Sequence, residues 1–168
     1  MSSPVGELGL VANSDGALLR IDFLTKEPSI PHWTDRLAAQ GLEPKHDAGA
    51  TEQVQLQLQQ YFDHQRQEFD LDLDLRGGSF EKNVWQVLTD IAYGTTCSYG
   101  YVAKRLGDAG ASRAVGHANG QNPVPIVVPC HRVIGFDGSL VGYGGGLEKK
   151  EWLLIHEGAL LCPLPKPK

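Results

Sequence analysis

A thiol, an imidazole and a guanidinium stand consecutively at Cys130, His131 and Arg132, directly behind the apolar run VPIVVP at 124–129. A cysteine is a useful nucleophile only as its thiolate, and a neighbouring cation or proton acceptor favours that form. Taken alone, a buried structural cysteine beside two polar residues is the simpler reading of such a pair. The surroundings reverse that preference. Asn122 and Pro123 open the segment, a glycine-rich stretch at 142–146 follows it, and a helix-turn-helix pattern precedes it.

The elements that must hold these residues are legible in outline. Phe80, Val84, Val87, Leu88 and Ile91 recur at helical spacing, which predicts a helix from a cap at Ser79 to about Tyr93. A second helix is expected over 98–106, a glycine-bearing turn over 107–110, and a third helix from Ala111 or Ser112 to about Asn119. Beyond Arg113 this last helix offers mainly Ala114, Val115, Gly116, Ala118 and Gly120, without long side chains for reading base edges. Small residues let a backbone approach a narrow groove, and they equally suit tight helix packing. Upstream, 8–11 and 17–23 flank Asp15-Gly16 as a β-hairpin. The polar stretch 26–50 reads as a surface connection with a short helix over 33–40. A helix is expected over 52–64. The strict alternation of Phe69, Leu71, Leu73 and Leu75 with Asp70, Asp72 and Asp74 reads as a strand with one dry and one wet face. Arg76-Gly77-Gly78 marks a boundary, dividing the chain into domains 1–76 and 77–168.

Bulk properties narrow the class. A chain of 168 residues with 41% hydrophobic content suffices for one good core or two small lobes. No apolar stretch has the length of a membrane span, and the first residues lack the pattern of a secretory signal. Three widely spaced cysteines, Cys97, Cys130 and Cys162, argue against a disulfide framework and for a reducing compartment. The net charge of −5 is unevenly placed: residues 1–76 carry 6 Lys+Arg against 13 Asp+Glu, and the remainder carries 9 against 7. Affinity for phosphate should therefore be modest and confined to the C-terminal part.

The motifs RAVG (113–116), NPVP (122–125), VPCHRV (128–133), GYGGGL (142–147), EWLL (151–154) and HEG (156–158) occur in that order. With them the chain resembles the O6-alkylguanine-DNA alkyltransferases, closely over 78–168 and loosely before. The resemblance implies an α+β protein, with a small N-terminal α/β lobe on an antiparallel sheet and a mostly helical C-terminal domain carrying the helix-turn-helix. It implies direct-reversal repair: an alkyl group passes irreversibly from O6-alkylguanine, and from O4-alkylthymine, to Cys130 after the base is flipped from the duplex. The partner implied is double-stranded DNA carrying the lesion, bound through the minor groove by a monomer. No cofactor and no membrane are involved, and the location is cytoplasmic, or nuclear in a eukaryote.

Residue by residue, the resemblance makes Cys130 the acceptor and His131 its base acting through a water, with Glu157 orienting His131. Tyr99 protonates the leaving guanine. Arg113 enters the stack where the base has left, with Ala114 and Ser98 at the DNA. Asn122 braces the turn before the active-site segment, and Tyr143 and Gly144 line the guanine pocket. The carbonyls of Cys130 and Val133 accept from the exocyclic amine. Apart from the resemblance, adjacency in an extended segment points Arg132 away from the thiol, where it is expected to brace the two lobes. Reading Cys130–His131 as extended, adjacent side chains diverge, which is why a water is needed between them. Two departures from the family stand out. No cysteine precedes Cys97, and His32, His46 and His64 lack zinc-site spacing, so no metal is expected. Asn119 occupies a position where some relatives carry a bulky apolar residue. Two other readings compete: an alkyltransferase-like protein that binds the lesion without transfer, which Cys130 disfavours, and a cysteine hydrolase, which the helix-turn-helix disfavours.

Overall fold

The computed structural model describes residues 1–24, 30–39, 41–47 and 49–161. Cys162 and parts of the 26–50 connection lie outside them. The chain forms two compact units, Met1–Leu75 and Arg76–Lys168, within an α+β architecture.

In the first unit β1 (Glu7–Ala12) and β2 (Leu18–Leu24) pair antiparallel, with a register irregularity between Val11 and Ala12. The turn is organised by Asn13 as well as by Gly16. The Asn13 side chain accepts from the backbone N–H groups of Asp15 and Ala17, and Gly16 takes a φ of +85°. Helix α1 (Ile30–Ala39) lays the Trp33 ring over Gly9, where any Cβ would collide with it, and Trp33 Nε1 donates to Asp22. A single 3₁₀ turn (Gly49–Thr51) leads into α2 (Glu52–Phe62), which buries Val54, Leu58, Tyr61 and Phe62. The alternating segment 69–75 does not form the expected strand. It is extended and makes one parallel bridge, Leu73 to Leu18, through Leu18 N to Asp72 O and Asp74 N to Leu18 O. Its other anchor is the Gln57 side chain, which pairs with both backbone groups of Asp70. One bridge to β2 and the Gln57 side-chain amide thus hold the segment in place of a full strand ladder.

The second unit is mostly helical. Helix α3 (Ser79–Thr89) starts one residue earlier than expected, with Gly78 rather than Ser79 as its cap residue. It ends at Thr89 instead of Tyr93, because Asp90 and Ile91 bond back to Val87 and Leu88 and tighten the last turn. After β3 (Cys97–Ser98) comes α4 (Tyr99–Arg105), whose cap is Ser98: its hydroxyl accepts from Tyr101 N. Gly107, at φ +89°, turns the chain into α5 (Ser112–Gly120), completing the helix-turn-helix. Trp85 is almost fully buried, and its Nε1 donates to Ala118 O, tying α3 to α5. Next come a 3₁₀ turn (Cys130–Arg132), β4 (Val133–Ile134) parallel to β3, and α6 (Leu147–His156). No helix among the described residues is long and apolar enough to cross a membrane.

Gly94 bends the chain between α3 and β3 at φ +72°, and a Cβ there would lie 2.9 Å from the carbonyl oxygen of Glu157. Gly94→Ala should therefore cost about 1–3 kcal/mol of stability, through left-handed backbone strain and that contact. Urea denaturation checks this; an unchanged midpoint would mean the bend relaxes freely.

Candidate active site

The segment that delivers Cys130 is held under tension. Asn122 Oδ1 accepts from Val124 N at 3.1 Å and its Nδ2 donates to Val128 O at 2.8 Å. Val128 N returns to Val124 O at 3.0 Å. This tight loop forces Ile126, a β-branched residue, to φ +77°, a conformation that persists only when the surroundings over-determine it. Burial of Val124, Ile126 and Val128 at zero exposure supplies that determination. The chain does not then run extended through Cys130 and His131. Arg132 N bonds to Pro129 O and Val133 N to Cys130 O, curling it into one 3₁₀ turn. Successive side chains still diverge on such a turn: the thiol takes a hydrogen bond from the His131 backbone, while the His131 ring is turned to Glu157.

His131 is turned to Glu157. Its Nε2 lies 2.9 Å from Glu157 Oε1, with both side chains wholly buried. Arg132 closes on the same carboxylate with two bonds, Nε to Oε2 at 2.8 Å and Nη2 to Oε1 at 2.9 Å, while Nη1 donates to Ile91 O. Arg132 thus serves the site within its own unit. Burial pushes the Glu157 carboxyl up, but the bonds from His131 and Arg132 outweigh it and hold the group well below the usual carboxylate range. Burial holds His131 below the ordinary imidazole value, assisted by the Arg132 and Lys150 charges and opposed by Glu157. At neutral pH the pair is a carboxylate and a neutral imidazole. A carboxylate only accepts, so Nε2 carries the ring hydrogen and Nδ1 holds the free lone pair. Nδ1 is buried without a hydrogen-bond partner among the described residues.

The Cys130 thiol is buried, and that burial pushes it up to about 11, against the lowering effects of an Asn122 hydrogen bond and the Lys150 charge. It rests as S–H and needs a base. Tyr99 is half-buried; burial first, then the electrostatics of Cys130 and Cys97, raise its phenol, and its OH donates to Val141 O at 3.2 Å. Tyr99 is therefore a protonated donor whose hydrogen rests on the loop.

Lys150 is the residue that sequence reasoning missed. It is fully buried, and burial brings it down to about 8 against the opposing influence of Cys130. Its Nζ donates to Val133 O and Val141 O, both at 2.7 Å, and lies 6.0 Å from the centre of the Tyr99 ring. It clamps the glycine-rich loop to the segment bearing Cys130. Its signal was present in the sequence: positions 150, 153, 154 and 157 share one helical stripe, so a lysine stands where an apolar residue belongs. The same stripe accounts for the burial of Glu157.

The structure thus brings Cys130, His131, Glu157, Asn122 and Tyr99 together. Val133 contributes its carbonyl, already engaged by Lys150. Ser98 caps α4. Tyr143 is partly buried in the loop, its carbonyl accepting from Gly146 N at 3.0 Å, and Gly144 is exposed beside it. Arg113 and Ala114 stand on the exposed first turn of α5, and none of the bonds described reaches them. Among the described residues no cluster of three or more His, Cys, Asp or Glu is arranged to hold a metal ion.

Two family descriptions match the chain: "6-O-methylguanine DNA methyltransferase, ribonuclease-like domain" over residues 1–75 and "6-O-methylguanine DNA methyltransferase, DNA binding domain" over 79–159. A methylated-DNA–protein-cysteine methyltransferase of Mycolicibacterium paratuberculosis is 50% identical over 159 residues, covering 94% of this chain and 89% of that one. One from Mycobacterium tuberculosis is 46% identical over 158 residues with the same coverage. Among solved structures, that of Mycobacterium tuberculosis OGT in complex with DNA superposes with a TM-score of 0.81 at 42% identity, covering 94% of this chain and 90% of that one.

Glu157→Gln should lower stability by roughly 3–5 kcal/mol, because it leaves the Arg132 charge buried without its counter-ion. His131 and Glu157 both bind protons less readily folded than unfolded. Wild-type stability should therefore fall as pH drops below about 6.5, through His131, and further below about 4.3, through Glu157. The variant should lose the lower of these two steps. Denaturant titrations between pH 3 and 8 measure it; parallel curves for the two proteins would contradict the assignment.

Proposed function

The chain belongs to the 6-O-methylguanine DNA methyltransferase family, and on that premise we propose that it repairs DNA by moving the alkyl group of O6-alkylguanine irreversibly onto Cys130. O4-alkylthymine is the second substrate in this reading. The observation that carries it is the buried Glu157–His131 pair, which leaves a neutral imidazole with an unused acceptor nitrogen next to a protonated thiol. Glu157 fixes the tautomer as a carboxylate fixes a catalytic histidine in hydrolases.

The lesion is rotated out of the duplex, because a stacked base keeps its O6 substituent from a buried thiol, and a damaged pair costs less to open. Exposed Arg113 fills the space left behind. The small residues of α5, Ala114 and Gly116 among them, let its backbone approach the minor groove. His131 Nδ1 takes the thiol proton through a bridging water. The sulfur lone pair forms the S–C bond as the C–O6 bond breaks, its electrons passing to the purine. Tyr99, released from Val141, gives its proton to the departing guanine. One proton leaves the thiol and one reaches the base, so the balance closes once His131 and Tyr99 re-equilibrate. The thioether formed has no route back to thiol, so each molecule acts once.

Cys130→Ser should abolish transfer from an O6-methylguanine duplex while changing affinity for it by less than about threefold, the two being read by methyl release and gel shift; continued transfer would exclude Cys130 as acceptor. Arg113→Ala should slow repair of the alkylated duplex at least about tenfold more than reaction with free O6-benzylguanine, since only the duplex requires flipping. Equal slowing on both would rule out the role assigned to Arg113.

A further inference from the structure

Resting on the function proposed above, we infer that Asn119 determines substrate specificity by accepting a hydrogen bond, through Oδ1, from the exocyclic 2-amino group of the flipped guanine.

The first observation is an acceptor without a donor. Asn119 lies near the end of α5, is only 3% exposed, and its Nδ2 donates to Cys130 O at 3.4 Å. That bond fixes which end of the amide is nitrogen: the opposite assignment would set Oδ1 against the Cys130 carbonyl. Oδ1 is buried without a hydrogen-bond partner among the described residues. A buried amide oxygen left unmatched is costly, and a native site keeps one where a ligand supplies the missing donor.

The second observation is that the carbonyls otherwise expected to read the amine are already engaged. Cys130 O accepts both Val133 N–H and Asn119 Nδ2. Val133 O holds the Lys150 ammonium at 2.7 Å. A carbonyl has two lone pairs, so Cys130 O is filled and Val133 O has one site left. An –NH₂ group brings two hydrogens. Asn119 Oδ1, on the same amide that touches the Cys130 peptide, is the unmatched side-chain acceptor there, and with the remaining site on Val133 O it accounts for both hydrogens. At position 119 an apolar side chain would pack against the base without reading its edge, whereas asparagine distinguishes a 2-aminopurine lesion from one lacking the amine.

The test compares single-turnover transfer from two duplexes that differ only in that group, one carrying O6-methylguanine and the other O6-methylhypoxanthine. Wild type should favour the first. Asn119→Leu, close in size and without an acceptor, should cut that preference by about tenfold, the loss expected for one buried hydrogen bond. Asn119→Ala should do the same. Each ratio is taken within one protein, so a reduced folded fraction cancels, and any difference in how easily the two lesions flip is common to all three proteins. Equal slowing on both duplexes would overturn the inference and leave Asn119 holding the Cys130 peptide or a water. An unchanged ratio, or a wild type indifferent to the amine, would also overturn it. Failure of wild type to accept methyl from either duplex would instead sink the function proposed above.

Discussion

One carboxylate at the end of a helix organises the second unit. Glu157 is the C-cap residue of α6, where the helix dipole opposes a negative charge, and its side chain is wholly buried. The first costs little, but burial of the charge is tolerable only with a partner. Arg132 supplies a bidentate counter-charge and His131 a third bond, and both come from the 3₁₀ turn that begins at Cys130. The ion pair that neutralises the buried charge therefore also fixes the turn that presents the thiol. Arg132 carries the constraint on to Ile91 O, and Gly94 N reaches Glu157 Oε2 at 3.4 Å, so the stretch between α3 and β3 is held from the same point.

The consequence is a site that is assembled but idle. Burial keeps the thiol protonated, with an upward shift to about 11, and keeps the imidazole neutral. Many cysteine enzymes hold a standing thiolate; in the proposed function activation instead waits for a proton path through His131 Nδ1. In the proposed function Cys130 is an acceptor used once, and reactivity held back until a substrate is seated avoids its loss to stray electrophiles. Lys150 adds a second restraint by tying the loop at 141–142 to Val133 O, which keeps that loop and the segment bearing Cys130 in one body.

Local pattern carried much of this into the sequence. The hairpin, the helix-turn-helix and the helix before it follow from spacing and turn residues, and the ordered motifs single out Cys130, His131 and Glu157. What escaped depends on partners distant in the chain. The alternation at 69–75 specifies a wet and a dry face but not that Gln57, rather than a strand, takes up Asp70. Arg132 reads as a residue facing away from the thiol until α6 brings Glu157 to it. Lys150 reads as one more surface lysine unless its stripe with Leu153, Leu154 and Glu157 is followed. Asn119 stands out only as an unexpected residue type, because its meaning lies in an amide oxygen left without a donor.

In the proposed function, the geometry around Glu157 and His131 serves a single transfer to Cys130. The most direct measurement is intact and peptide mass after incubation with a duplex carrying O6-methylguanine. The expected result is a gain of one methylene per protein, located on the peptide containing Cys130 and saturating at one equivalent of lesion. Unchanged mass despite tight binding to the same DNA would contradict it and would make the protein a lesion binder whose buried thiol serves another purpose.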